Sequence, residues 1–171
     1  MYKYLSLLFC LLLSWPLQAQ ELRLRTLLKL QEMDQPDMSR LLQRKGWTFV
    51  ENSTPHDSTM GKAVWAYQPT GAEVAMAWCV RYYNSTSPSR ILYNLSGGKS
   101  IYRIQKKMRR SKMSVYDAGN TLERVEALQQ YTDHLDEIYA FRLLHYQQPG
   151  YKGIKIFKRS DYLQARQNGR L

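Results

Sequence analysis

Cysteine is almost missing from this 171-residue chain, with Cys10 and Cys79 the only two. So few exclude a disulfide-stapled scaffold and a multi-cysteine zinc site. Nine glycines and six prolines are too few for a collagenous or low-complexity chain. Acid is scarce too: 14 Asp+Glu stand against 25 Lys+Arg, a formal net charge of +11. No stretch after residue 20 approaches the roughly 20 apolar residues that a membrane-spanning helix needs. What is present is 44% hydrophobic and 23% charged residues, the proportions of a globular domain, and a chain of this length can bury a sizeable core.

Residues 1–20 carry the three parts of a secretory signal peptide. Lys3 supplies the positive start, residues 5–13 are almost continuously apolar, and Trp15, Pro16 and Ala19 form a cleavage region. Cleavage after Ala19 places the mature chain in the periplasm or outside the cell, with Cys79 as its one thiol. Cys10 lies inside the apolar run, where lipid attachment is not expected. Cys79, between Trp78 and Val80, reads as a small buried hydrophobe.

The mature chain alternates helical and extended patterns. Leu24, Leu27, Leu28 and Gln31 repeat at helical spacing over residues 22–33. Asp37 reads as the N-cap of a short helix over 37–45, and Gly46 as its left-handed end. Strands are expected at 47–50, 63–67, 74–84 and 90–95. A second amphipathic helix over 99–112 carries Ile101, Ile104 and Met108 as its apolar stripe. Further strands are expected at 113–117, 122–130, 137–146 and 151–158, with turns at 119–120, 133–136 and 149–150. Residues 161–171 read as a polar, basic, fraying tail.

The two halves share this order of elements. Residues 20–96 and 97–160 read as two copies of a helix–β-meander unit, with Leu42 set against Met108, Trp47 against Met113, Trp65 against Tyr131 and Ala77-Trp78 against Ala140-Phe141. The expected fold is therefore α+β, predominantly antiparallel sheet with short helices packed on one face.

Asp37, Met38, Ser39, Arg40, Leu41, Leu42, Gln43, Arg44, Lys45, Gly46 and Trp47, followed by Val64, Trp65, Ala66 and Tyr67, carry a resemblance. The helix ending in Lys-Gly-Trp and the Trp-Ala-Tyr strand resemble those of a group of short exported bacterial proteins. That resemblance implies export and a fold, and brings no active site. The repeated helix-plus-sheet order is also similar in architecture to the β-lactamase inhibitory proteins, which bind other proteins.

Catalytic and metal-binding constellations are weak. His56-Asp57-Ser58 gathers three catalytic residue types, but neighbours on one loop do not form a triad. Asp133-His134-Leu135-Asp136-Glu137 collects carboxylates and an imidazole at an expected hairpin tip, without the spacing of a calcium loop. His145 reads as a packing residue near a strand end. Gly97-Gly98-Lys99-Ser100 lacks the earlier glycine of a phosphate-binding loop. Asn52, Asn84 and Asn94 begin glycosylation sequons, which matter only in a eukaryotic secretory pathway. No catalytic residue, cofactor or metal site is expected.

Two binding surfaces are candidates. Tyr82 and Tyr83 cannot both face inward on one strand, so at least one of them is available as an aromatic ligand platform. The second candidate is electrostatic. Residues 98–171 hold 15 Lys+Arg against 7 Asp+Glu, and seven of those positives fall between Lys99 and Lys112 with no acid among them. Arg103, Lys106, Lys107 and Arg110 fall on the helix face away from the apolar stripe, where like charges at i, i+4 cost about 0.2–0.5 kcal/mol per pair. The expectation is a non-catalytic binding module that contacts an anionic glycan, glycolipid or acidic protein; specific nucleic-acid binding is not expected after export. A structural, envelope-maintaining protein is the second reading and a hydrolase the third.

Overall fold

In the computed structural model, the described residues are 21–56, 59–71, 74–97, 99–123 and 125–169. The expected signal peptide, and Cys10 within it, lie outside them. The fold is α+β. Helices α1 (Leu24–Glu32) and α2 (Gln35–Gln43) precede four strands: β1 (Trp47–Ser53), β2 (Gly61–Pro69), β3 (Ala75–Tyr83) and β4 (Arg90–Ser96). Helix α3 (Ser100–Arg110) then leads to β5 (Val115–Gly119), β6 (Leu128–Leu135), β7 (Tyr139–Tyr146) and β8 (Tyr151–Lys158), and α4 (Arg159–Gln167) follows. The strands form one antiparallel sheet in the order β1-β2-β3-β4-β8-β7-β6-β5. Two meanders thus run inward from opposite edges and meet where β4 pairs with β8.

Side chains alternate across the pleat, and the two faces bury different chemistry. Helices α1, α2 and α3 cover one face through Leu27, Leu30, Met38, Leu42, Ile104 and Met108. Beneath them the sheet presents Trp65, Cys79, Tyr93, Phe141 and Ile156. Trp47 and Tyr67 join this core with ring centroids 5.5 Å apart. Cys79 is fully buried and its thiol is pushed well above the ordinary cysteine range by that burial.

Local chemistry shifts several expected boundaries. Asp34 caps α2, its carboxylate accepting the Asp37 N–H at 2.8 Å, and Pro36 sits in the first turn. The helix therefore starts earlier than a cap at Asp37 predicts. Gly46 follows it with φ +78°, the left-handed conformation expected there. Residues 120–123 and 125–127 belong to no strand, and β6 runs from Leu128 through Asp133 to Leu135. The hairpin tip lies further on, where Asp136 accepts from the N–H groups of Ile138 and Tyr139.

The expected polar tail is the largest correction. Residues 159–167 form α4, and its Tyr162 is fully buried against Phe157 and Ala140. That cluster lies on the sheet face opposite α1–α3. Leu42 and Met108 share the first core as aligned, but two of the aligned strand pairs fall on opposite faces. Trp65 stands on the face covered by α1–α3, whereas Tyr131 stands on the other beside Arg142. Ala77 likewise faces the first core and Ala140 the second.

Candidate binding surfaces

Helix α3 packs Ile101, Ile104 and Met108 onto the core, as the stripe predicts. Arg103, Lys106, Lys107 and Arg110 are consequently exposed. Arg103 has a carboxylate near it, Glu21 Oε2 at 3.5 Å, which the helix's own sequence could not reveal. Lys106, Lys107 and Arg110 have no ion-pair partner among the described residues. Six cations elsewhere do: Arg40 with Asp37, Lys62 with Glu51, Arg90 with Asp161, Arg142 with Asp133, Lys158 with Glu32 and Arg166 with Asp117. At the start of α3, Glu21 Oε1 accepts the Lys99 N–H and the Ser100 hydroxyl donates to the Leu22 carbonyl. Protein groups therefore take up the donors that a phosphate-binding loop would offer; Gly98 lies outside the described residues.

Tyr82 and Tyr83 part to opposite faces of β3. Tyr83 packs against the helix-side core and donates its hydroxyl to Asn52 Oδ1 at 2.9 Å. Tyr82 faces the other side, and the Lys155 ammonium sits 4.8 Å from its ring centroid. The structure does not bring the two rings together into one platform.

The face that Tyr82 shares is ionic. One row across the sheet reads Val64, Val80, Leu92, Lys155, Arg142, Asp133 in neighbouring strands. Arg142 makes a bidentate pair with Asp133, at 2.9 and 2.8 Å, with both side chains almost fully buried. Tyr162 adds a third bond, its hydroxyl donating to Asp133 Oδ2 at 2.7 Å. Arg90 makes a second bidentate pair, with Asp161 of α4, at 2.8 and 3.0 Å. Asp133, expected at a hairpin tip, is thus an anchor for α4 and points away from His134, whose Nδ1 lies 3.2 Å from the Ser114 carbonyl. His145 Nε2 is 3.2 Å from the Gln105 amide, and burial together with Lys152 holds the imidazole below its usual range. Asn94 lies mid-sheet, accepting from the Tyr146 hydroxyl at 3.2 Å. No group of three His, Cys, Asp or Glu able to hold a metal occurs among the described residues. Asp57 and Ser58 lie outside them.

Lys155 is the exception in this ionic floor. Among the described residues its ammonium has ring contacts alone, with Tyr82 and with Phe157 at 5.4 Å. Burial, then Arg90 and Arg142, push it down to about 8, while Asp161 pulls weakly the other way. Below pH 8 the folded protein bears the whole cost of holding this charge, on the order of 3 kcal/mol. Between pH 8 and 10.5 the unfolded chain keeps a proton that the folded chain has released, so this group's contribution to stability rises with pH. Lys155→Met is therefore expected to unfold at higher temperature than the parent at pH 7, with the gap narrowing as pH approaches 10. The difference between the two isolates Lys155, because Cys79 acts in the opposite direction equally in both. A gap that stays constant across this range refutes the assignment.

Comparison of the chain with protein-family models, curated proteins and solved structures finds no match.

Proposed function

We propose that this chain is an exported, non-catalytic binding module that meets an anionic partner through the outer face of α3. One observation carries the reading: among the described residues Lys106, Lys107 and Arg110 project from a single exposed face without a carboxylate partner, while seven other cations are paired. Clustered like charges repel, and a helix that serves solubility alone is better laced with both signs. The signal-peptide pattern of residues 1–20 supports an envelope or extracellular setting, where anionic glycans, glycolipids and acidic proteins are the polyanions at hand. The resemblance of the Lys45-Gly46-Trp47 and Trp65-Ala66-Tyr67 motifs to short exported bacterial proteins supports the same compartment.

We also read the two meanders as copies of one unit. Register shifts interrupt β1 between Phe49 and Glu51 and β5 between Val115 and Asp117, the same place in the two outermost strands. The inner register is balanced about the Leu92–Lys155 pair, with Val80 beside one and Arg142 beside the other.

Replacing Arg103, Lys106, Lys107 and Arg110 together by Gln tests the surface. The quadruple variant should unfold at the parent's temperature, since all four side chains are solvated. It should lose sedimentation with vesicles containing phosphatidylglycerol at low ionic strength, and the parent's binding should fall as salt is raised through 0.2 M, where screening over roughly a Debye length of 7–10 Å takes hold. Undiminished sedimentation of the variant, or none of the parent, overturns the reading.

A further inference from the structure

On the face opposite α1–α3 lies a cavity of about 500 Å³, within the range of small-molecule sites. Its floor is the ionic row around Lys155. Leu92, Leu144, Met60, Leu122 and Val125 give it aliphatic walls, and the phenols of Tyr82 and Tyr146 border it.

The charges of the floor do not cancel. Arg90, Arg142 and Lys155 are three cations; Asp161 and Asp133 are two carboxylates. Each carboxylate is held bidentately by a guanidinium, so neither arginine offers its paired N–H groups to a ligand. Among the described residues one cation remains, a lysine ammonium with three donors and aromatic faces alone against it. Glu123, an exposed loop residue, also lines the cavity, but the charges acting on Lys155 are Arg90, Arg142 and Asp161. A desolvated ammonium beside apolar walls favours a ligand with one negative charge and an apolar body. A phosphate or sulfate brings a second charge or more oxygens than this single point charge serves, whereas arginine forks normally take them.

We infer that this cavity is a binding site for an amphipathic monocarboxylate, with Lys155 as the carboxylate's partner and the aliphatic walls as the seat of its hydrocarbon part. Binding needs the charged amine, so its strength depends on pH through Lys155. Tyr82 and Tyr146 bear hydroxyls that burial holds protonated well into the alkaline range. The inference stands apart from the α3 surface, which lies on the other side of the sheet.

Calorimetric titration with decanoate and with decan-1-ol, the same chain without charge, tests it on the full chain. Decanoate is expected to bind at one site, at least about tenfold more tightly than decanol at pH 7. Above the Lys155 midpoint near pH 8 its affinity should fall by up to tenfold per pH unit, and decanol's should not. In Lys155→Met, whose folding is checked independently by its raised unfolding temperature, decanoate should lose its advantage while decanol binds at least as well as to the parent. Equal binding of the two probes by the parent, an advantage that survives Lys155→Met, or inorganic phosphate binding as tightly as decanoate each overturns the inference.

Discussion

Asp133→Ala is expected to cost about 3–5 kcal/mol of unfolding free energy, the loss seen when one partner of a buried ion pair is removed. Asp133 is fully buried and Arg142 is 3% exposed. The carboxylate accepts from Arg142 Nε at 2.9 Å, from its terminal nitrogen at 2.8 Å and from the Tyr162 hydroxyl at 2.7 Å. Removing it leaves a guanidinium in the sheet face with no acid partner and a phenol without its acceptor. The pair itself carries little net stability, because taking both charges out of water offsets most of their attraction. The double variant Asp133→Leu/Arg142→Met, which fills the same space with apolar atoms, should therefore recover most of the loss. Urea titration measures both, and a single-variant loss below about 1 kcal/mol contradicts the buried-pair account. Arg142 also lies over the Tyr131 ring, 4.9 Å from its centroid, a contact that the double variant alters and the single one keeps.

This pair also shows where sequence reading reaches its limit. Helical spacing in Ile101, Ile104 and Met108 located α3 and its outer face because one element alone decides that periodicity. The alternating apolar runs of β2, β3, β4, β7 and β8 were legible for the same reason. Asp133 and Arg142 meet only through the antiparallel register of β6 and β7, nine residues apart across a hairpin whose tip the acid-rich string Asp133–Glu137 places too early. A charge in the middle of a strand carries no local sign that a partner waits across the ladder. The alignment of Trp65 with Tyr131 failed on a related point: a one-residue slip moves a side chain to the other face, and few identities leave nothing to hold the register. Lys155 was hidden in the same way. Tyr151-Lys152-Gly153-Ile154-Lys155-Ile156 reads as a plain strand, and the cation becomes unusual only beside Arg90, Arg142 and Tyr82, which come from three other strands.

Tyr162→Ala should destabilise the protein by about 3–5 kcal/mol, the range for removing a buried aromatic side chain. Composition alone argues otherwise, since Arg166, Arg170 and the glutamines around them make residues 161–171 look like a solvated tail. Three side chains of this segment are nonetheless buried: Asp161, Tyr162 and Ala165, which recur at helical spacing on the face turned to the sheet. Tyr162 meets Phe157 edge-on with centroids 5.6 Å apart and Tyr116 at 6.1 Å, while its hydroxyl holds Asp133. Truncation removes ring packing and the hydrogen bond together. Tyr162→Phe removes the bond alone and should cost about 1.5–3 kcal/mol, as expected for a donor to a charged acceptor. The two substitutions thus separate packing from polarity at one position. Because Tyr162 and Asp133 are in contact, combining Tyr162→Phe with Asp133→Ala should cost less than the sum of the two. Strict additivity would show that the hydroxyl and the carboxylate act independently, and a Tyr162→Ala loss below about 1 kcal/mol would return the segment to the status of a frayed tail.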